Sequence, residues 1–133
     1  MRPHPYLRAY MAGIVVPTLF LLAAITVYAF YRSYLQVPLE RAIVFPMAVV
    51  PNLWGAWNIL YLALGSRVRL PLGVHGALLP LLLVPAGVTL ASALDVFTIQ
   101  LPYALPIVPI GMALYYLVWK YLVGFLNEEM GIA

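Results

Sequence analysis

The stretch Pro51-Asn-Leu-Trp-Gly-Ala-Trp-Asn-Ile-Leu-Tyr61 lies in the middle of a long charge-free run, yet it contains two asparagines, two tryptophans and a tyrosine. Polar groups at mid-bilayer depth are costly unless they have partners, so lipid contact alone does not explain these residues. Positions three, four and seven apart share one face of a helix. That face carries Trp54, Trp57, Asn58 and Tyr61. We interpret it as an aromatic, amide-bearing surface for a ligand.

The opposite face of the same stretch carries small residues. It includes Ala48, Asn52 and Ala56, and small residues let a second helix approach closely. We therefore predict a helix-packing surface there, with an interhelical hydrogen bond from Asn52. A second small-residue stripe is formed by Gly87 and Ala91. It leads to Asp95, for which Arg41 or Arg32 is the expected ion-pair partner at the outer end.

The composition excludes a soluble domain. The 133 residues are 65% hydrophobic and 8% charged, with a mean hydropathy of +1.01, whereas soluble domains are about one-quarter charged. Such a chain must have lipid as its solvent, so membrane lipids are expected partners. The absence of cysteine excludes disulfides and Cys-based metal sites. The net charge of +3 is small and sits at the ends of apolar runs, which indicates membrane orientation and not nucleic-acid binding.

Cutting the chain at charged residues leaves four charge-free stretches, the last of which ends at Trp119. They predict four membrane spans in a single all-α domain, at about residues 9–31, 42–66, 70–94 and 96–126, with the last span continuing past Lys120. Each is longer than the ~20 residues that cross the hydrocarbon core as a helix. The first run is too long for a signal peptide and is expected to stay in the mature protein. Short connections favour an up-down antiparallel four-helix bundle. A hairpin centred near Val68 places Tyr61 level with His75.

Prolines occur inside every predicted span. Those well inside the apolar runs are Pro17, Pro46, Pro51, Pro80, Pro85, Pro106 and Pro109. Each is expected to kink its helix. Two interpretations stay open: the kinks merely shape the bundle, or they interrupt helices around a midplane site, as in transporters.

Basic residues near the span ends predict the orientation. Five lie on one side and two, Arg32 and Arg41, on the other. The first set is Arg2, Arg8, Arg67, Arg69 and Lys120. Because cytoplasmic loops are enriched in Lys and Arg, both termini are predicted to be cytoplasmic. The protein is expected to be a multi-pass protein of a bacterial inner membrane or a plasma membrane.

A polar layer is predicted in the inner leaflet. Asn58 and Tyr61 would be joined there by His75, Tyr116 and Lys120, which complete the candidate ligand-binding set. Intramembrane ionisable residues are functional candidates, and histidine titrates near neutral pH. The alternative is structural: Lys120 extends to the headgroups, and His75 bonds a neighbouring tyrosine. Further aromatic residues fit interfacial belts, an inner one including Tyr6, Tyr10, Tyr115, Trp119 and Tyr121.

Three function classes follow. The first is a ligand-binding or transport protein for a small amphipathic or hydrophobic molecule, working as a homo-oligomer, with its site within the bilayer. The second is a structural or accessory membrane subunit. The third is a lipid-modifying enzyme using His75 and Lys120. It is the least favoured, because no catalytic, phosphate-binding or metal motif occurs. No catalytic residue, metal or cofactor is therefore assigned.

The orientation can be measured with reporter fusions. A reporter after Ala133 and another within residues 37–41 should label opposite sides of the membrane, because an odd number of spans separates them in the predicted topology. Two reporters on the same side would contradict the four-span arrangement.

Overall fold

The computed structural model describes residues 3–31, 43–65, 67–95 and 100–132, and these ranges form helices and no strand. In chain order the helices are α1 (Pro5–Tyr31), α2 (Val49–Leu64), α3 (Leu72–Ala93), α4 (Leu101–Ala104), α5 (Ile107–Val118) and α6 (Gly124–Glu129). Two π-helical segments adjoin them, Ile43–Ala48 before α2 and Trp119–Val123 between α5 and α6. Residues 107–129 therefore form one continuous helical rod, called here the C-terminal column.

Three helical stretches are long and apolar enough to cross a membrane: Pro5–Phe30, Leu72–Ala93 and Pro102–Glu129. The expected all-helical class is confirmed over the described residues, and the length and composition of these helices are compatible with a membrane protein. The remaining apolar helix, Val49–Leu64, is shorter. Its 16 residues rise about 24 Å, less than the ~30 Å of a hydrocarbon core.

The backbone at Phe45 explains why α2 is short. Phe45 has φ −135° and ψ 127°, which is not helical. It precedes Pro46, and a proline ring disfavours the helical conformation of the residue before it. Pro51 does not interrupt α2, because it lies in the first turn, where backbone N–H groups have no helical partner. The prolines inside longer helices are Pro17 in α1 and Pro80 and Pro85 in α3.

The helices pack as two antiparallel pairs, α1 with α2 and α3 with the C-terminal column. The first pair approaches to backbone contact at two glycines. A Cβ added to Gly13 would lie 2.7 Å from the Trp54 carbonyl oxygen and 2.9 Å from the Gly55 Cα. Only glycine fits this approach, and Gly55 in turn lies under the Tyr10 ring. Close helix approach at small residues is typical of membrane proteins.

The second pair is built around Trp119. This indole is fully buried and lies directly on Gly76, where an added Cβ would be 2.0 Å from the Trp119 Cγ. One turn earlier, Gly73 lies against the Tyr116 ring. Trp119 begins the π-helical segment, which contains a second fully buried residue, Val123. Trp119 and Val123 are four positions apart, so they lie on one face of the helix.

The α2–α3 hairpin has the predicted register. The ring centroids of Tyr61 and His75 are 5.2 Å apart, which confirms that the two residues lie at one depth. Further along the hairpin, Phe45 packs on Ala91 and approaches Gly87. Gly87 and Ala91 are both buried, so the structure places the small-residue stripe of α3 at a packing contact.

Replacing Gly76 tests the groove for Trp119. Gly76→Ala should lower the unfolding free energy by about 1–3 kcal/mol, because overpacking forces the indole and backbone apart. Gly111→Ala is the matched control, since its Cβ would meet Pro80 at an ordinary 3.6 Å and alanine favours helix. Thermal unfolding in detergent measures both. Equal midpoints for the two variants would contradict the close packing at Gly76.

Candidate functional site

An aromatic cluster joins α2 to the C-terminal column. The Trp54 ring lies 4.9 Å from the Tyr115 ring and 5.3 Å from the Trp119 ring, measured between centroids. These separations are those at which aromatic pairs attract. Trp54 Nε1–H also donates a hydrogen bond to the Tyr115 hydroxyl at 3.3 Å. Trp54 is therefore held in place by ring packing and by a hydrogen bond.

Trp57 and His75 form a second aromatic contact, between α2 and α3. Their rings stack, with centroids 4.9 Å apart and planes inclined by 25°. Trp57 Nε1–H donates to the His75 carbonyl at 2.7 Å, and His75 Nε2 lies 2.7 Å from the Trp57 carbonyl. Because a carbonyl oxygen only accepts, Nε2 carries the proton in this contact. Each residue thus binds the other's backbone through its ring nitrogen.

Asn58 and Asn127 form a buried amide pair between α2 and α6. Asn58 Nδ2 donates to Asn127 Oδ1 at 2.8 Å, and Asn127 Nδ2 donates back to Asn58 Oδ1 at 3.2 Å. Asn58 Nδ2 also donates to the Ala9 carbonyl of α1 at 2.6 Å. Both side chains are 1% exposed, so these bonds take the place of water. Three helices are joined by one pair of side chains.

Arg8 closes the same end of the molecule. Its Nη1 donates to the Met130 carbonyl and, at 3.3 Å, to the Gly131 carbonyl. Its Nε donates to the Pro3 carbonyl at 2.9 Å. Carbonyl groups at a helix C-terminus have no helical partner and carry negative partial charge, which a guanidinium complements. Arg8 therefore ties the start of α1 to the end of the C-terminal column.

A cleft of about 390 Å³ lies between α1, α2 and α5. Its wall is made of aliphatic, proline and aromatic side chains. The lining residues are Val16, Pro17, Phe20, Leu21, Val50, Trp54, Leu114, Tyr115 and Val118. The hydrogen-bonded Trp54–Tyr115 pair brings polar atoms to this otherwise hydrocarbon wall.

The predicted ligand-binding residues do not share one site in the structure. Trp54 lines the cleft, whereas Trp57, Asn58 and His75 are bonded to protein groups and are outside its lining. Tyr61 is half-buried against His75.

Tyr116 and Lys120 lie apart from the cleft, where α3 meets the column at Gly73. The Lys120 side chain is exposed, and its Nζ lies 5.7 Å from the Tyr116 ring and 5.3 Å from the Tyr121 ring. These cation–π distances describe a lysine lying along the surface. The residues of the predicted polar layer therefore do not form one layer: some lie in the protein interior, and Lys120 lies on this surface.

The predicted packing residues of α2 also have mixed positions. Ala48, Asn52 and Ala56 are exposed. Asn52 nevertheless accepts a hydrogen bond from the Tyr10 hydroxyl of α1, and it donates to the Ala48 carbonyl at 2.6 Å. Asp95 is exposed at the end of α3, and its expected partner Arg41 lies outside the described residues.

Sequence reasoning missed two polar members of this region. Tyr115 was expected in an interfacial belt, and the structure places it on the cleft wall. Asn127 was not singled out, although it follows Trp119 and Val123 at steps of four, which places all three on neighbouring positions of one helical face. Trp119 was also assigned to a belt and is instead fully buried, and its Nε1–H has no acceptor among the residues that the structure describes.

Within the described ranges, no three His, Cys, Asp or Glu side chains are grouped closely enough to hold a metal ion. Comparison of the chain with protein-family models, curated proteins and solved structures finds no match.

The buried amide pair predicts that substitutions of two asparagines in α2 have different effects on stability. Asn58→Ala should destabilise the protein by about 1–3 kcal/mol, because it leaves the buried Asn127 amide unpaired. Asn52→Ala is the matched control and should cost about 0.6 kcal/mol, the average of interhelical bonds in bilayers. Thermal unfolding in one detergent compares them. A larger effect at Asn52 would contradict the assigned burial.

Proposed function

We propose that this protein is a four-span, multi-pass membrane protein that binds a small amphipathic molecule in the cleft between α1, α2 and α5. The observation that carries the proposal is the cleft itself, an apolar space bordered by the Trp54–Tyr115 hydrogen bond. The spans run up and down, with both termini in the cytoplasm, as the distribution of basic residues indicates.

The exposed surface supports a lipid environment. Large apolar side chains are exposed along α1 and the C-terminal column, including Phe20 at 71%, Phe30 at 81% and Ile110 at 63%. In water an apolar surface of this extent would drive association. In lipid it is the expected exterior. The second span then comprises α2 together with the preceding segment Ile43–Ala48, which extends the short helix towards the full membrane thickness.

The cleft has the size and chemistry of a small-molecule site. Ligand pockets are typically about 300–1,000 Å³, mostly apolar, with a few placed polar groups. Here the apolar part comes from three helices and the polar part from Trp54 and Tyr115. A second, more open groove on α3 is lined by Pro85, Ala86, Thr89, Leu90 and Ala93. Its one hydroxyl, that of Thr89, donates to the Pro85 carbonyl at 2.9 Å within the same helix.

A structural or accessory subunit is the second candidate, and one observation favours it. The polar side chains of Trp57, Asn58, His75 and Asn127 are all hydrogen-bonded within the protein. Such bonds hold helices together without any ligand. This interpretation explains the amides but assigns no role to the cleft.

The enzyme alternative receives no support from the geometry. His75 Nε2 is bonded to the Trp57 carbonyl, and Lys120 is exposed on the side of the column that meets Gly73. The two side chains that would have to act together do not share a site.

Ligand binding can be measured through tryptophan fluorescence. Methyl 12-bromododecanoate, whose bromine quenches nearby indoles, should quench the purified protein saturably, because Trp54 is 4% exposed yet lines the cleft. Val118→Phe should fill the cleft and weaken this binding about tenfold, or about 1.4 kcal/mol. The neighbouring variant Leu117→Phe should bind normally, since Leu117 is exposed and outside the lining.

Two results would contradict the proposal and favour a scaffold. One is quenching that rises linearly with probe concentration, as partition into detergent or lipid would produce. The other is an equal loss of affinity in the two phenylalanine variants. The melting temperature of each variant, measured without probe, shows whether it is folded.

A further inference from the structure

The hydrogen bonds of Tyr115 are incomplete in a way that points to a ligand. A tyrosine hydroxyl has one hydrogen to donate and also accepts. The Tyr115 oxygen accepts from Trp54 Nε1, and in the described part of the chain its own hydrogen meets no acceptor. Tyr115 is half-buried on the cleft wall. The wall therefore offers a hydrogen-bond donor to whatever enters.

Trp54 sets the direction of this donor. An indole has a single N–H and no acceptor, and that N–H is directed at the Tyr115 oxygen. The Trp54 ring packs against Tyr115 with centroids 4.9 Å apart, which holds the phenol in place. Since the oxygen is already accepting, the remaining hydrogen must point elsewhere. Trp54 therefore acts as a positioning residue for the Tyr115 hydroxyl.

The rest of the lining restricts the chemistry of the ligand. The other side chains are hydrocarbon, and they include no Lys, Arg or His that could pair with an anion. An unpaired charge in an apolar site is strongly disfavoured. The lining side chains also offer a ligand N–H no amide or carboxylate acceptor, so amines and amides gain little there. An uncharged oxygen acceptor on an apolar chain satisfies both conditions.

We infer that the cleft selects an uncharged apolar chain bearing one carbonyl oxygen, a fatty ester or a long-chain ketone, with the Tyr115 hydroxyl donating to that oxygen. This inference rests on the proposed function, because it names the ligand class of the same cleft. The carbonyl lies beside Trp54 and Tyr115, and the chain lies along α1 and α5.

Two probes of similar length test the acceptor. Methyl 12-bromododecanoate carries a carbonyl, and 1-bromotetradecane does not. By saturable tryptophan quenching the unmodified protein should bind the ester about three- to tenfold more tightly, the range of one net hydrogen bond. Tyr115→Phe should remove this preference by weakening the ester alone. Tyr116→Phe is the matched control, since Tyr116 lies outside the lining, and should keep the preference.

A charged probe tests the second condition. The carboxylate 12-bromododecanoate should bind more weakly than its methyl ester at neutral pH, because the lining has no cationic side chain. Tighter binding of the carboxylate would overturn the assignment to uncharged ligands.

The outcomes separate this inference from the proposed function. Saturable binding of both bromoalkane and ester with equal affinity, or an ester preference that survives in Tyr115→Phe, would overturn the carbonyl assignment and leave the cleft as a site. Failure of both probes to quench saturably would overturn the proposed function, and the inference with it. A normal melting temperature for Tyr115→Phe excludes unfolding as the cause of lost binding.

Discussion

The reciprocal hydrogen bonds between Asn58 and Asn127 are the contact on which the arrangement of the helices depends. They form where α1, α2 and α6 meet, and Asn58 also donates to the Ala9 carbonyl. Apolar surroundings supply no alternative partners, so separating these helices leaves two buried amides unsatisfied. The pair therefore sets the register of α2 against the C-terminal column. Trp54, one turn from Asn58, is thereby brought against Tyr115 and Trp119.

The cleft begins where close packing ends. At one end α1 is held to the column by Arg8 and to α2 by the contact between Gly13 and Gly55. Beyond Gly13, the cleft is lined by Val16, Pro17, Phe20 and Leu21 of α1 together with residues of α2 and α5. Of the aromatic cluster, Trp54 and Tyr115 line this space, whereas Trp119 is outside its lining. The helices are thus held together by contacts at one end, and the cleft lies further along the same helices.

The sequence predicts the helical class and the apolar runs, because these depend on length and charge. It also predicts that Tyr61 lies beside His75, because a short connection joins their helices. The short length of α2 could also be predicted, since Phe45 precedes a proline. Which face of α2 is buried against protein was harder to predict. Hydrophobic periodicity is weak when both lipid and protein are apolar, so Ala48 and Ala56 looked like a packing face although they are exposed. The two indoles of α2 pack at helix interfaces: Trp54 lies against the Tyr115 and Trp119 rings of the column, and Trp57 stacks on His75 of α3.

The site was the least predictable part, because its polarity depends on which partners are already taken. Trp57 and His75 looked like ligand groups by residue type, yet each is bound to the other's backbone. Trp119 and Tyr115 both keep a hydrogen without an acceptor among the described residues, but their positions differ. The Trp119 indole is fully buried and accessible to nothing, whereas Tyr115 stands on the wall of the cleft. A polar group contributes to recognition only if a ligand can reach it and it keeps hydrogen-bonding capacity, and of these two side chains Tyr115 is the one that lines the cleft and still has a hydroxyl hydrogen to donate.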